Sequence, residues 1–186
     1  MTARSVHDLI QQLPLSGMSL AEQTTPNSSA GKDGAQLRDL VLFIAGGRTF
    51  AVFSEEVDGT AEEKRPSPLP RAPGSILGVI YARGRMLTLV DPAAVTSGEP
   101  VTWPAVIPAI ISLRGDEQLA LAADSVGEAI TVLSSDISLA DSEPESDVSP
   151  AITGILRHGG EKITILNPSE LFNVAVQRKD RRRRRF

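Results

Sequence analysis

The stretch GVIYARGRMLTLVDPAAV, residues 78–95, aligns without gaps with GILRHGGEKITILNPSEL, residues 154–171. Each copy has two apolar runs around a glycine-containing turn, which is the pattern of a β-hairpin. An Asp-Pro or Asn-Pro pair follows, as is typical of the N-cap and first turn of a short helix. Four glycines occupy matched positions and are assigned to the turns: Gly78, Gly84, Gly154 and Gly160. The sequence therefore predicts a hairpin and a short helix that occur twice.

A second pair of matching segments extends the repeat. The segments LVLFIAGGRTFAVF, residues 40–53, and VIPAIISLRGDEQLALAAD, residues 106–124, each place two β-rich runs around a turn, which favours further hairpins. The repeat halves then span about residues 37–99 and 106–173. Small β-units hide their edge strands by closing into barrels. We therefore expect an all-β fold of two small β-barrels formed by an internal duplication, with short helices and flexible termini.

The first 36 residues differ in composition from the repeat. Residues 14–36 are rich in Ser, Thr, Gly, Pro and Gln and are predicted to be a linker, because they cannot bury enough apolar surface to offset the entropy of ordering. Before them, SVHDLIQQL sets four apolar residues on one face of a short amphipathic helix: Val6, Leu9, Ile10 and Leu13. This flexible N-terminal arm is either a frayed terminal turn or a peptide that docks on a partner.

Charge is concentrated at the other end of the chain, in a C-terminal tail predicted to span residues 174–186. The whole chain carries −4 and its last ten residues carry +6, so the remainder carries −10. An acidic body argues against a nucleic-acid-binding face on the fold itself. The tail is open to three interpretations: a solvated segment, an anchor to anionic lipid, or a nucleic-acid contact, the last disfavoured because no aromatic residues are interleaved to stack on bases. Its basic residues are Arg178, Lys179, Arg181, Arg182, Arg183, Arg184 and Arg185.

The residues needed for enzyme chemistry are sparse. The chain has no cysteine, and its two histidines are His7 in the arm and His158 in a hairpin turn, so neither a catalytic triad nor a metal site with several histidines can be assembled. The glutamate-rich stretches are typical of solvated loops. No apolar stretch approaches the ~20 residues of a membrane helix, and no signal-peptide pattern is present. The sequence favours a non-enzymatic, cytoplasmic protein with no cofactor and no metal.

The proline-flanked run PSPLPRAPGSILGVIYARG, followed by a second Gly-rich hairpin, resembles the CheW-like domain of bacterial chemotaxis adaptors over about residues 37–173. The resemblance implies two SH3-like five-stranded β-barrels and a signalling adaptor. Such proteins couple the cytoplasmic tips of methyl-accepting chemoreceptors to the regulatory domain of a CheA-type histidine kinase. They also form rings with other CheW-like domains, at the inner membrane face. Alternatives are a divergent adaptor for gliding or type IV pilus motility, or a scaffold tethered to membrane or nucleic acid by its tail.

The resemblance also implies a receptor-binding groove. Arg83 matches the arginine of the family's Asn-x-Arg-Gly motif at the edge of that groove, and Val57 and Val126 match apolar positions that line it. Tyr81 stands where Asn is usual and is interpreted as an interface anchor. Thr88 stands where the following strand usually has Pro.

The environment of Arg83 departs from the family pattern in a second way. Gly59 stands where an acidic residue often faces the arginine, so Asp58 or Glu62 is expected to supply the carboxylate from a shifted position. The second copy of the hairpin has Gly159 in place of Arg83, which indicates that the turn itself needs no arginine. Arg83 is therefore either a binding residue or a solvated charge at a hairpin tip.

Overall fold

A computed structural model describes residues 36–139 and 148–177. Strands dominate this part of the chain, so the predicted all-β class with short helices is confirmed. The strands are β1 Leu37–Ala45, β2 Arg48–Phe53, β3 Val57–Lys64, β4 Ile76–Ala82, β5 Arg85–Val90, β6 Ile107–Leu113, β7 Leu119–Ala123, β8 Ser125–Leu133, β9 Ile137–Leu139, β10 Ile152–His158 and β11 Glu161–Leu166. The helices are α1 Pro92–Ser97 and α2 Pro168–Gln177, and single 3-10 turns lie at Ser54–Glu56 and Ser134–Asp136.

All four hairpins predicted from the repeat are present. Antiparallel pairing joins β1 to β2, β4 to β5, β6 to β7 and β10 to β11. Local sequence explains them, because strand-forming runs separated by a short Gly-containing turn can pair without a long excursion of the chain.

The hairpins assemble into two sheets, each of which closes into a small barrel. Barrel A has the order β8-β1-β2-β11-β10-β9, and its two end strands are consecutive in the chain, separated only by the turn Ser134–Asp136. Barrel B has the order β3-β6-β7-β5-β4, and Ser67, just beyond β3, forms a bridge to Val79 of β4. When β8 and β9 are counted as one bent strand, each barrel has five strands.

Each barrel combines strands from both repeat halves. In barrel A, β2 of the first half runs parallel to β11 of the second; in barrel B, β5 of the first half runs parallel to β7 of the second. A two-stranded hairpin alone cannot bury its faces, and pairing with a hairpin of the other half supplies the missing neighbour.

Two of the glycines assigned to turns lie inside strands instead. Gly78 in β4 and Gly154 in β10 each sit next to a register shift. A β-carbon on Gly78 would overlap the backbone carbonyl of Ser67, and one on Gly154 would lie 2.8 Å from the carbonyl oxygen of Ser138. Both glycines therefore lie where a neighbouring backbone approaches closely: Ser67 bridges to β4, and Ser138 lies on β9, which pairs with β10.

The largest core cluster lies between the two barrels. It joins β1 and β2 of barrel A, β6 and β7 of barrel B, and both helices; within it the rings of Phe43 and Phe50 stack with their centroids 5.6 Å apart. The same four strands turn their alternate side chains into the barrel interiors, for example Leu40 in barrel A and Ile110 in barrel B. Burial on both faces explains why these segments read as nearly continuous apolar runs.

The Asp-Pro pair caps α1 as predicted. Asp91 is fully buried, and its Oδ1 accepts hydrogen bonds from the backbone N–H groups of Ala93 and Ala94 at 3.0 and 3.3 Å. Its Oδ2 accepts a third from Val101 N–H at 2.8 Å. Helix α2 extends to Gln177, so residues 174–177, which were assigned to the tail, are helical. The predictions for residues 1–35 and for the basic residues 178–185 lie outside the described residues.

Candidate partner-binding surface

The hairpin tip between β4 and β5 has left-handed backbone at two successive residues. Arg83 has φ 52° and Gly84 has φ 79°, and the matched turn of the second copy has Gly159 at 60° and Gly160 at 85°. Positive φ at both central positions is the geometry of a tight two-residue hairpin turn, in which glycine is favoured. An arginine in this conformation lowers the stability of the fold by roughly 1 kcal/mol relative to glycine. The first copy thus has an arginine where its own duplicate has the less strained residue.

The side chain of Arg83 belongs to a three-residue cluster, which we call the arginine–aspartate cluster: Asp58, Arg83 and Arg85. Oδ2 of Asp58 accepts hydrogen bonds from Nε of Arg83 at 3.2 Å and from Nη2 of Arg85 at 2.8 Å. Arg85 also donates to the backbone carbonyl of Leu113 at 3.3 Å, which holds it against β6. Two guanidinium groups share one carboxylate, so the cluster carries a net positive charge. Arg83 is the more exposed arginine, with 46% of its side chain accessible.

Gly59 makes room for this arrangement. A β-carbon at residue 59 would overlap the guanidinium of Arg83, so the arginine lies directly against the glycine. Of the two carboxylates proposed from sequence, Asp58 is the one that bonds Arg83. The carboxylate that pairs with Arg83 is therefore at residue 58 of β3, and the arginine fills the space beside Gly59.

An exposed apolar pair lies beside the cluster on the same hairpin. Tyr81 on β4 is 64% exposed and pairs directly with Met86 on β5, which is 53% exposed. Large exposed aromatic and Met side chains next to a cation are typical of interface anchors. We call Tyr81, Arg83 and Met86 the hairpin face.

The two valines matched to the groove lie in different barrels. Val57 opens β3, opposite Leu113, and Val126 lies on β8, opposite Phe43. Both are half-buried and pack against the central core cluster. Val57 precedes Asp58 in β3, whereas Val126 lies on β8 of barrel A.

Sequence reasoning missed two members of this surface, Arg85 and Met86. Arg85 is the second arginine of the Arg-Gly-Arg triplet, and its counterpart in the repeat is Glu161, so the same comparison that singled out Arg83 could have found it. Met86 could have been found from strand alternation, since it stands opposite Tyr81.

A half-buried carboxyl group lies in the turn Ser54–Glu56, directly before β3. Burial raises the pKa of Glu56 from 4.5 to about 6, and the charge of Glu55 adds to the rise, while a backbone hydrogen bond at Phe53 and the charge of Arg38 oppose it. Within the described residues, Oε2 of Glu56 has no hydrogen-bond partner. Arg38 instead pairs with Glu55 at 2.6 Å and lies 4.0 Å over the ring of Phe53.

Two further searches concern only residues 36–139 and 148–177. There, no three His, Cys, Asp or Glu side chains are grouped so that they could hold a metal ion. In the same ranges, no helix combines the length and apolarity that crossing a bilayer requires.

Two interlocked five-stranded barrels that share a central core, with an exposed cationic and apolar hairpin face, define a two-barrel β-module. The model of the CheW-like domain matches residues 39–176, and the chain belongs to this family. The predicted family resemblance is confirmed.

Two relatives illustrate the similarity. The chain is 28% identical over 143 residues to the chemotaxis protein CheW of Rhizobium meliloti (strain 1021), a match that covers 73% of this chain and 87% of the relative. The crystal structure of the scaffolding protein TtCheW from Thermoanaerobacter tengcongensis has the same fold, with a TM-score of 0.62 at 20% identity, over 74% of this chain and 93% of that one.

Proposed function

We propose that this protein is a non-enzymatic chemotaxis-type adaptor that couples chemoreceptors to a CheA-type histidine kinase. It acts in the cytoplasm, at receptor arrays on the inner membrane face. Its family supports a scaffold role, since the relatives are named as chemotaxis and scaffolding proteins. The receptor, the kinase and other CheW-like domains are the proposed partners.

The observation that carries the proposal is the use of Arg83 in a turn that the duplicate builds from two glycines. Strained backbone is often retained where the side chain has a functional role. The ion pair with Asp58 offsets at most about that strain, because a partly exposed pair contributes only about 0–1 kcal/mol. Arg83 therefore acts in binding, with its positive charge held in place by Asp58.

The hairpin face is suited to the tip of a helical receptor hairpin. Tyr81 and Met86 offer a flat apolar contact, and Arg83 offers a charged hydrogen-bond donor at its edge. A partner that places an apolar residue and an acceptor close together satisfies both. The barrel surfaces away from this hairpin remain for the kinase and for neighbouring adaptors.

The test is a binding titration of the full chain against receptor cytoplasmic fragments from the same organism. Arg83→Ala is expected to weaken binding by about tenfold or more, since interface arginines are often hot spots. Arg48→Ala is the matched control, because Arg48 is also a half-exposed arginine in an ion pair, with Glu99 at 3.4 Å, but lies on barrel A.

Both variants should melt within a few degrees of the native protein, since surface changes alter stability by only about 0.5 kcal/mol. If Arg83→Ala and Arg48→Ala bind receptor fragments equally well, the assignment of the hairpin face to the receptor is wrong. If no receptor fragment binds the native chain, the coupling function itself is wrong.

A further inference from the structure

Three basic side chains occupy neighbouring strands at one end of barrel A. Arg157 of β10 is paired directly with Lys162 of β11. Strand β11 runs parallel to β2, with Thr164 beside Phe50. Lys162 and Arg48 each precede that pair by two residues, so the same register places them next to each other on one face of the sheet. We call Arg48, Lys162 and Arg157 the cationic row, and all three are exposed.

The duplicated half of the chain provides an internal reference for this row. Superposing Gly46 on Gly115 matches Arg48 to a residue of the second half, and residues 154–171 align without gaps with residues 78–95. The positions of barrel B that match the row are Glu117, Met86 and Tyr81. The same architecture thus accommodates one acidic and two apolar side chains at these positions, so the barrel itself does not require cations there.

The cationic row is unfavourable for the isolated molecule. Like charges directly opposite each other on antiparallel strands are destabilising, and Arg157 and Lys162 are such a pair. Within residues 36–139 and 148–177, neither of them forms an ion pair. Glu161 is next to Lys162 in sequence but lies on the other face of the hairpin, where it accepts a hydrogen bond from Thr49 at 3.4 Å. Two adjacent cations are therefore open to carboxylates from outside the molecule.

One carboxylate of the chain illustrates the chemistry that the row accepts. Glu99, in the segment after α1, pairs with Arg48 at 3.4 Å, and the two side chains are 78% and 50% exposed. A pair this exposed contributes little to stability, so an incoming carboxylate can displace it. Glu99 covers only one end of the row, since Lys162 and Arg157 lie on the two strands beyond Arg48.

We propose that the cationic row is a docking site for an acidic helix of a partner protein. Adjacent strands are about 4.8 Å apart, so the row is about 10 Å long. Glutamates at i, i+4 and i+7 of a helix share one face and span about 10 Å along its axis. A helix that lies across β2, β11 and β10 therefore brings one carboxylate to each cation.

The charge of the whole molecule favours a protein helix over a bilayer or a nucleic acid. Outside its last ten residues the chain carries −10. This charge repels an extended polyanion over a wide area, whereas a single helix contacts only the row. Proteins also bind phosphate polymers through larger sets of Lys and Arg than three. The row is on barrel A and leaves the hairpin face of barrel B free, so the proposal does not depend on the receptor contact.

The experiment is an NMR titration of the full chain with an alanine-rich helical peptide of about 20 residues that carries glutamates at i, i+4 and i+7. A second peptide has the same composition, with its glutamates distributed around the helix. The row variant carries Arg157→Gln and Lys162→Gln. The charge-matched control carries Lys64→Gln and Arg65→Gln, at the end of β3 on barrel B.

Amide signals of β2, β10 and β11 are expected to shift with the first peptide. At about 0.05 M salt the row variant should bind it about tenfold more weakly, and the control should bind it like the native chain. The second peptide should bind the native chain about tenfold more weakly than the first. Glu99→Gln should bind the first peptide several-fold more tightly, because Arg48 then has no internal competitor.

One further variant separates loss of docking from loss of the fold. Lys162→Glu replaces a like-charge pair with an opposite-charge pair, so it should melt at or above the native temperature. Its affinity for the first peptide should nevertheless fall by at least about tenfold, because an acidic side chain now stands in the middle of the row.

Three results would overturn the proposal. One is equal affinity of the row variant and the control for the first peptide. Another is equal affinity of the native chain for the two peptides, which would mean that the spacing of the carboxylates is not recognised. A third is row-dependent binding of phosphatidylglycerol vesicles or duplex DNA without binding of either peptide, which would assign the row to a different class of partner.

Discussion

The guanidinium of Arg83 occupies the space that a side chain at Gly59 would fill. This exclusion links a residue at the start of β3 to the tip of the β4–β5 hairpin. The acidic partner of the arginine is Asp58, the residue before Gly59. The backbone of β3 at Gly59 therefore leaves the space in which the guanidinium of Arg83 lies.

Gly59→Ala is expected to displace Arg83 from Asp58, because the atoms in the way are the end of a flexible side chain. Receptor-fragment affinity should fall several-fold, while the free energy of unfolding falls by about 1–2 kcal/mol, because φ at residue 59 is 159°, which favours glycine. Gly127→Ala is the control, since a β-carbon there meets neighbours no closer than 3.6 Å. Equal affinity in the two variants would show that the position of Arg83 does not matter for binding.

Gly78→Ala and Gly154→Ala should each destabilise the fold by about 2 kcal/mol. The added methyl group would meet the backbone of Ser67 or of Ser138, and backbone cannot move aside as a flexible side chain can. Gly74→Ala, where a β-carbon meets nothing within 4 Å, should be nearly neutral. Urea denaturation measures all three. Native stability in both strand variants would mean that the barrels do not close as described.

Asp91→Ala should destabilise the protein by about 2–3 kcal/mol, because it leaves buried N–H groups of α1 and of Val101 without acceptors. Asp91→Asn keeps one carbonyl oxygen and should lose less. The comparison of the two midpoints in urea checks this order. An alanine variant as stable as the asparagine variant would contradict the capping role.

Glu56→Gln should stabilise the protein at neutral pH but not in acid. The folded-state pKa of about 6 lies above the ordinary 4.5, so the folded protein binds more protons between these values and its stability falls as pH rises through them. The glutamine variant avoids that loss. Its advantage should approach about 1 kcal/mol above pH 7, reduced for the partial exposure of the group, and disappear below about pH 4.5. A constant difference across this pH range would argue against the burial of the charge.

Local features of the fold could be predicted from the sequence. The four hairpins, the Asp91 cap and the repeat depend on neighbouring residues: runs that favour strands, glycine in tight turns and an acceptor before Pro92. Arg83 could be singled out as well, because the duplication supplies an internal reference turn with Gly159 in its place.

Only the tertiary structure decided how those parts combine. The parallel pairing of β2 with β11 and of β5 with β7 joins segments from opposite halves of the repeat, and no local pattern specifies which hairpin accepts which. The roles of Gly78 and Gly154 depend on the backbone of Ser67 and of Ser138, which lies close against them. Asp58 pairs with Arg83, which is 25 residues further along the chain. Local propensities determine elements through adjacent residues, whereas pairing between distant elements is set by which arrangement buries both faces of the apolar strands around one core.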